Sequence, residues 1–166
     1  MIEVREANLN DVDQIRELFR IAYGDHYFYP QYYDVRELSR LVFDNDTIFL
    51  VAVDTQKQMV TGTSSVVFSV SAYNDLVGEF GRLVVHPDYR RRGIGKQLMK
   101  ARVERVQSRL HVGIVENRAN HTFSQKTKSP ALFLLNLCFN THFDILDLKL
   151  LLLESQMFKG EILWVQ

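Results

Sequence analysis

Cysteine is scarce in this sequence of 166 residues, in which Cys138 is the single example. One cysteine cannot form an internal disulfide, and no spacing of cysteine and histidine along the chain resembles that of a zinc site. We therefore expect no bound metal. A lone thiol is typical of a reducing compartment, so we predict a cytoplasmic protein.

Long apolar runs are missing as well. The longest ones, residues 131–135 and 150–153, fall far short of the roughly 18 consecutive apolar residues that a membrane-spanning helix needs. Residues 1–6 carry charges where a signal peptide has an apolar core. We expect no membrane partner.

Neither sign of charge dominates, because 20 basic and 20 acidic side chains cancel at neutral pH. A protein that binds nucleic acid through its overall field carries an excess of lysine and arginine. We therefore expect no nucleic-acid partner. Apolar residues at 46% and charged residues at 24% are ordinary for a globular protein, and the length predicts one domain over residues 1–166.

One stretch, residues 78–100, combines a predicted strand, a turn and the start of a predicted helix. The strand covers Gly78–Val85 and must end there, because Pro87 has no backbone N–H to offer a ladder. The helix covers Gly93–Leu110, where apolar residues recur at intervals of three and four. Its apolar stripe consists of Met99, Val103, Val106 and Leu110.

The loop between this strand and helix has the composition of an anion site. A helix N-terminus presents unpaired N–H groups and the positive end of the macrodipole. Gly93 and Gly95 permit unusual φ angles and a close approach of the backbone to a phosphate. The three arginines at 90–92 add charge that fits a polyphosphate better than a single phosphate. A solvated surface turn is the alternative.

The residues Arg90-Arg91-Arg92-Gly93-Ile94-Gly95 resemble the Arg/Gln-x-x-Gly-x-Gly/Ala signature of the GNAT-type N-acetyltransferases. As in that family, they follow a strand that ends Val-His-Pro-x-Tyr-Arg. Neither a nucleoside-triphosphate P-loop nor a dinucleotide-binding glycine motif is present in the sequence. The resemblance implies the mixed α/β fold of acyl-CoA N-acyltransferases, with six to seven mostly antiparallel strands and helices on both faces. It also implies acetyl-CoA as the cofactor.

The resemblance assigns roles along the same stretch. The pyrophosphate of coenzyme A would lie on the N–H groups of residues 91–96. In the family the strand bulges away from its neighbour, so that main-chain groups can bind the pantetheine arm. The Leu83 N–H would bind the thioester carbonyl, where negative charge builds in the transition state. The implied cofactor site comprises Leu83, Val84, Val85, Arg90, Arg91, Arg92, Gly93, Ile94, Gly95 and Lys96.

Glu79 lies eleven residues before Arg90, and the family places at that spacing a glutamate that takes the proton of the attacking amine. A carboxylate suits this task if partial burial raises its pKa toward neutrality. Glu79 and the Leu83 N–H are therefore the candidate catalytic groups. An exposed strand carboxylate without a catalytic role is the alternative for Glu79. His86 and Asp88 are interpreted as turn residues.

The remaining chain predicts further elements of the same fold. Strands are expected at residues 2–5, 47–53, 60–70 and 111–115, and the second and third of them should pair antiparallel. Asn8, with Asp11 three residues later, begins a helix that Gly24 ends, and a second helix covers residues 34–45 with Phe43 on its buried side. The aromatic segment, residues 25–33, is either a packed loop or the lip of an acceptor cleft.

The resemblance weakens after residue 115. Many family members have a tyrosine there that protonates the leaving thiolate, seven residues after an asparagine. Counting from Asn117 or Asn120 reaches Ser124 or Thr127, and counting back from Cys138 reaches Leu134, so no register gives a tyrosine. Ser129 and Pro130 predict the start of a helix over residues 131–137, and closing strands are expected at 143–153 and 160–165.

These observations favour an enzyme that moves an acetyl or short acyl group from coenzyme A to a small-molecule or peptide amine by direct attack on the thioester. The alternative, motivated by the missing tyrosine, is a sensor that binds acyl-CoA without turning it over. A homodimer, and a longer protein of which this chain is the first part, remain open.

Overall fold

The computed structural model describes residues 1–68, 77–110, 112–118 and 133–139. The chain divides into two compact units, the first formed by residues 1–67 and 81–106 and the second by residues 68–80 and 107–166. The first unit contains β1 (Ile2–Glu6), α1 (Val12–Tyr23), α2 (Val35–Val42), β2 (Thr47–Asp54), β3 (Met59–Val67), the end of β4 (Val77–Val85) and α3 (Ile94–Val106).

The strands of the first unit follow one another in chain order, β1-β2-β3-β4. β1 pairs antiparallel with β2, with Val4 opposite Ala52. β2 pairs antiparallel with β3, with Leu50 opposite Ser64, and the register shifts between Ala52 and Val53. The predicted antiparallel pair is therefore confirmed, although residues 69 and 70 of the predicted third strand lie outside the described residues.

Helices cover both faces of this part of the sheet. Side chains alternate between the two faces along a strand, so successive residues of β2 pack into different hydrophobic cores. Phe49, Val51 and Val53 pack with residues of α1 and α2. Leu50 and Ala52 pack on the other side with Ile94 and Leu98 of α3. The helix predicted over Gly93–Leu110 ends earlier, at Val106. Met99, Val103 and Val106 of the predicted apolar stripe are buried on α3, and Leu110 is buried beyond its end.

α3 lies very close to β3 at Gly62. A Cβ atom built on Gly62 would come within 3.0 Å of the Leu98 side chain and of the Val84 carbonyl oxygen, and within 3.2 Å of the Ile94 side chain. Only a glycine allows this contact without displacement of the helix. The start of α3 is thereby fixed against the strands that precede it.

Local signals decide where α1 and α2 begin and end. Asn8 and Asp11 form a reciprocal capping box at the short 3₁₀ turn that leads into α1, and Gly24, with φ of 61°, ends the helix as predicted. Asp34 caps α2 by accepting from two backbone N–H groups. The prediction for Phe43 is wrong: α2 ends at Val42, and the Phe43 side chain is 47% exposed.

The second unit contains the start of β4 with β5 (Val112–Arg118) and β6 (Phe133–Phe139), in the order β4-β5-β6. Both pairings are parallel, with Glu79 opposite Ile114 and Ile114 opposite Leu135. The mixed α/β prediction holds, but parallel pairing has a larger share than expected, since two of the four pairings described here are parallel.

The helix predicted over residues 131–137 is wrong where the structure describes it, because residues 133–139 form β6. The physical reason is the sequence Phe-Leu-Leu-Asn-Leu-Cys-Phe. A short, nearly continuous apolar run does not distinguish a buried helix from a parallel strand by its periodicity, and parallel strands favour such runs. The closing strands predicted at 143–153 and 160–165 lie outside the described residues.

Candidate functional site

β4 ends in a tight turn at His86. The His86 Nδ1 atom accepts from the Asp88 N–H at 3.2 Å, and the His86 N–H donates to the Thr61 carbonyl at 2.9 Å. The turn is a short 3₁₀ segment over Pro87–Tyr89. His86 and Asp88 thus make the turn contacts that the sequence predicts for them.

Tyr89 anchors the loop that follows. Its side chain is buried, and its hydroxyl donates to Asp54 Oδ2 at 3.0 Å. Burial opposes the charged form of Asp54, but hydrogen bonds from Tyr89 and from the Gln56 N–H outweigh it and lower the pKa of the carboxyl. The Arg92 guanidinium lies over the Tyr89 ring, 4.7 Å from its centroid. The sequence indicated Tyr89 only as part of the family signature and did not predict this anchoring role.

The three arginines of the loop have different surroundings, although all are exposed. Arg92 donates to the Asp88 carbonyl at 2.9 Å in addition to its contact with Tyr89. Arg90 donates through Nε to the Val85 carbonyl at 3.3 Å. Arg91 has a φ of 62°. Arg92 therefore contacts both a buried ring and the loop backbone, and Arg90 makes a longer hydrogen bond to the backbone. All three arginines present charge at the surface.

The loop backbone has two residues in the left-handed region, Arg91 and Gly93, with φ of 62° and 76°. For a residue with a Cβ atom this conformation costs about 1–2 kcal/mol, whereas glycine adopts it freely. A Cβ atom on Gly93 would meet no heavy atom within 4 Å, so the requirement for glycine in the folded protein is conformational. Left-handed residues among ordinary ones turn successive N–H groups toward one point and make a concave anion site.

The first turn of α3 adds more donors to this loop. The Gln97 N–H donates to the Gly93 carbonyl at 3.0 Å, which begins the helical ladder. The N–H groups of Ile94, Gly95 and Lys96 precede any intrahelical acceptor, as at every helix N-terminus. Gly95 has no positive φ, and a Cβ atom there would lie 3.9 Å from the Val85 side chain in ordinary contact. The predicted loop and helix N-terminus are thus brought together.

β4 departs from extended geometry at Arg82, whose φ is 53°. A left-handed residue inside a strand is typical of a β-bulge and costs about 1–3 kcal/mol, so surrounding contacts must hold it. Side chains bind the two carbonyls at this point: Arg102 Nη1 donates to Gly81 at 3.2 Å, and Thr63 Oγ1 donates to Arg82 at 2.9 Å. This left-handed residue lies directly before Leu83, and the bulge that the family resemblance implies for the strand stays a prediction.

Arg102 is a buried cation that the sequence analysis did not identify. Its side chain is 1% exposed, and its Nε and Nη2 atoms lie 3.2 and 3.0 Å from the Met99 sulfur. Burial lowers the pKa of Arg102 to about 9, so the guanidinium is still charged at neutral pH. No sequence signal distinguishes it, because it stands one position before Val103 on an otherwise ordinary amphipathic helix.

The candidate pantetheine-binding residues, Leu83, Val84 and Val85, follow Arg82 along β4. Val84 is buried in the core formed with α1 and α2, and Leu83 and Val85 pack against the core on the α3 side. The side chains of all three therefore serve packing. Any role in binding must come from their main-chain groups, as the resemblance implies.

Glu79 lies on the part of β4 that belongs to the second unit, where it is opposite Ile114 of β5. Its side chain is half-buried. Asn117 is on β5 and Leu134 on β6, and nothing is described of their side chains. Asn120, Ser124, Thr127, Ser129 and Pro130 lie outside the described residues, so the missing tyrosine stays a sequence observation.

The aromatic segment, residues 25–33, packs against the end of α1. The Tyr27 ring is stacked on Tyr23 at 4.7 Å and meets Tyr32 edge-on at 5.4 Å, and Phe19 lies 4.6 Å from Tyr32. Burial raises the pKa of Tyr27. The Tyr33 hydroxyl accepts from the Tyr27 N–H at 2.9 Å and donates to the Gly24 carbonyl at 2.7 Å. The segment is therefore packed against α1 and against itself, as the packed-loop alternative predicts.

The segment also reaches β4. Arg82 donates through Nε to the Tyr32 hydroxyl at 3.1 Å, and its guanidinium lies 5.4 Å from the centroid of the Tyr29 ring. Phe28, in contrast, is 59% exposed. The described part of the chain contains no cluster of His, Cys, Asp and Glu that could hold a metal ion. None of its helices is long and apolar enough to span a membrane.

Several solved structures have a similar fold. An aminoglycoside 6′-N-acetyltransferase complexed with coenzyme A matches with 23% identity over 66% of this chain and a TM-score of 0.53, and this chain spans only 56% of that protein. An acetyltransferase of Trypanosoma brucei matches with 16% identity over 87% of this chain and all of its own, with a TM-score of 0.64. At these identities the likeness concerns the fold.

A third structure, glucosamine-6-phosphate N-acetyltransferase from Arabidopsis thaliana, matches with 18% identity over 87% of this chain and 99% of its own, with a TM-score of 0.59. No curated protein sequence matches significantly. The family model for the GNAT acetyltransferase domain matches residues 45–128, which is half of the chain and includes β2 to β5 with the loop and α3. The chain therefore belongs to the GNAT acetyltransferase family, whose co-substrate is acetyl-CoA.

Proposed function

We propose that this protein transfers an acetyl or short acyl group from acetyl-CoA to an amine by direct attack of the amine on the thioester. The observation that carries the proposal is the loop before α3, where left-handed residues at 91 and 93 open a helix N-terminus beside exposed arginines. Such a site suits a polyphosphate, because backbone N–H groups and charge converge on it.

The residues present fit coenzyme A. The backbone N–H groups of residues 91–96 would hold the pyrophosphate, with charge from Arg90, Arg91 and Lys96. The space beyond the Gly93 Cα is open, as a cradle for a phosphate requires. The main chain of residues 83–85 would bind the pantetheine arm. Bound acetyl-CoA supplies the activated acetyl group as a thioester.

The Leu83 N–H is the group we assign to the thioester carbonyl. It follows Arg82, and the left-handed conformation of that residue turns the next peptide unit away from the regular ladder direction. A preorganised N–H that donates to a developing negative charge lowers the barrier without reorganisation. Because the group is main chain, substitution of the Leu83 side chain would leave the donor in place.

Glu79 is the group we assign as the general base. A half-buried carboxylate on the same strand can accept the amine proton directly or through water. The missing tyrosine does not exclude turnover, because a thiol has a pKa of about 8.5 and its thiolate departs more easily than an alkoxide. We propose that water supplies the proton to that sulfur, with His121 and Cys138 as alternatives that rest on the sequence alone.

The acceptor is proposed to be a small-molecule amine, and a peptide amine is the alternative. The solved structures with this fold include proteins named for aminoglycosides and for glucosamine-6-phosphate, both of which are amino sugars. We also propose a cytoplasmic location, where a single cysteine stays reduced.

A screen of amines with acetyl-CoA, in which free thiol and acetylated product are both measured, tests the proposal. We expect at least one amine to give the two products in equal amounts above the uncatalysed rate. Binding of acetyl-CoA by calorimetry without turnover on any amine would contradict the enzyme and favour the acyl-CoA sensor. Absence of binding as well would remove the coenzyme A site.

A further inference from the structure

The conformation of Arg82 sets the direction of the N–H group that follows it. The Leu83 N–H belongs to the peptide plane between residues 82 and 83, so a rotation of the Arg82 backbone rotates this donor. Arg82 is held at φ of 53°, which a residue with a side chain adopts only when its surroundings impose it. The contacts of the Arg82 side chain are therefore part of what aims the donor.

Those contacts connect β4 to the aromatic segment. Arg82 Nε donates to the Tyr32 hydroxyl at 3.1 Å, and the guanidinium faces the Tyr29 ring. Tyr32 is only 3% exposed, so the acceptor of this hydrogen bond is fixed by packing. On the strand side, Thr63 Oγ1 donates to the Arg82 carbonyl at 2.9 Å. The residue is thus held at its backbone and at its side chain by two different elements.

The aromatic segment is itself well ordered by internal contacts. The Tyr33 hydroxyl connects the Tyr27 N–H with the Gly24 carbonyl, and Tyr27 contacts four other rings of the segment and of α1. Displacement of the segment would therefore move Tyr32 as part of a larger body. The Arg82–Tyr32 hydrogen bond would transmit that movement to β4 at Arg82.

We propose that Arg82 is a positioning residue, which together with Tyr32 couples the aromatic segment to the direction of the Leu83 N–H. The inference rests on the proposed function for its catalytic consequence. An acceptor that contacts residues 25–33 would then change the direction of the Leu83 N–H, the donor proposed to bind the thioester carbonyl. The side chain of Arg82 needs no contact with either substrate to do this.

Two matched substitutions test the coupling without any turnover. Tyr32→Phe and Tyr33→Phe each remove one hydroxyl from the same segment, but only the first removes the acceptor of Arg82. The direction of the Leu83 N–H, measured in solution by NMR residual dipolar couplings, should change in Tyr32→Phe relative to the parent, because the Arg82 backbone is then held less firmly. In Tyr33→Phe the changes should be confined to residues 24–33. Equal effects of the two variants at Leu83 would overturn the proposal.

Kinetics on an accepted amine give the second readout. A misdirected donor affects the transition state, so Tyr32→Phe should lower kcat about tenfold or more with little change in the KM for acetyl-CoA. Tyr33→Phe should instead raise the KM for the amine. Arg82→Lys, which keeps the charge and loses the planar fork, should reproduce Tyr32→Phe, and the double variant should be no worse than either single one. Unchanged kcat in Tyr32→Phe, or additive losses, would refute the coupling.

The two hypotheses fail in different ways. If the parent turns over no amine, the proposed function fails, and the direction of the Leu83 N–H still decides whether the contact positions this donor. If the parent is active while Tyr32→Phe leaves both that direction and kcat unchanged, the enzyme stands and the positioning role of Arg82 is refuted. Thermal unfolding of each variant shows whether it is folded, and Arg82→Lys replaces Tyr32→Phe if the latter is not.

Discussion

At the scale of the residue, Gly93 and Gly95 differ in backbone conformation and not in the space available to a Cβ atom. Position 93 requires glycine because its φ is 76°. Gly95 has no positive φ, and a Cβ atom at that position would make ordinary contact. Gly93→Ala should lower the free energy of unfolding by about 1–2 kcal/mol, the cost of a left-handed alanine. It should weaken coenzyme A binding by about tenfold or more, or about 1.4 kcal/mol, because the loop must change to relieve the strain.

Gly95→Ala is the matched control, and the family signature itself accepts alanine at this position. It should change the free energy of unfolding by less than about 0.5 kcal/mol and leave coenzyme A affinity near that of the parent. Chemical denaturation and calorimetry on both variants decide the matter. Parental affinity in Gly93→Ala would show that the loop does not bind the pyrophosphate.

The need for glycine at 93 follows from the sequence, because a glycine between a predicted strand and a predicted helix is typical of a turn that requires a positive φ. The positive φ angles of Arg82 and Arg91 do not follow from the sequence. At Arg82 the left-handed conformation is held by tertiary contacts with Thr63 and Tyr32. The burial of Arg102 cannot be predicted from the sequence either, because it also depends on tertiary contacts. Its burial depends on the carbonyl of Gly81, 21 positions away in the chain.

At the scale of the element, two arginine variants in the loop before α3 separate the contribution of charge to coenzyme A binding from the contribution of loop structure. Arg90→Ala should weaken coenzyme A binding mainly through lost charge, so the difference from the parent should shrink as ionic strength rises. Arg92 contacts the Tyr89 ring and the Asp88 carbonyl. Arg92→Ala should therefore lower the melting temperature as well, and part of its affinity loss should persist at high salt. Calorimetry at two ionic strengths measures both, and a loss in Arg90→Ala that is independent of salt would assign that residue a structural role.

α3 and β6 show what sequence periodicity can and cannot provide. Four apolar positions on a long stripe predicted α3, because a helix of 13 residues repeats its pattern several times. β6 was missed because seven mostly apolar residues contain no repeat that separates a helix from a buried parallel strand. Proline at 130 then favoured the wrong choice, since it suits the first turn of a helix.

At the scale of the whole molecule, family membership does not by itself decide the proposed mechanism. The family match covers residues 45–128, which contain the proposed coenzyme A loop and Glu79 alike, and it assigns no role to either. The family's tyrosine has no counterpart in the sequence. The chemistry of proton transfer is therefore the claim that most needs a direct test.

The pH dependence of acetyl transfer to one accepted amine, in the parent and in Glu79→Gln, is that test. Glu79→Gln should fold and keep its affinity for coenzyme A, while turnover falls by roughly 10²–10⁴-fold, the usual contribution of one positioned proton-transfer group. The loss should shrink as pH rises, because the free amine then forms without a base, so the rate of the variant climbs where that of the parent levels off. Equal rates with parallel profiles would contradict Glu79 as the base, and no transfer by either protein to any amine would contradict the enzyme itself.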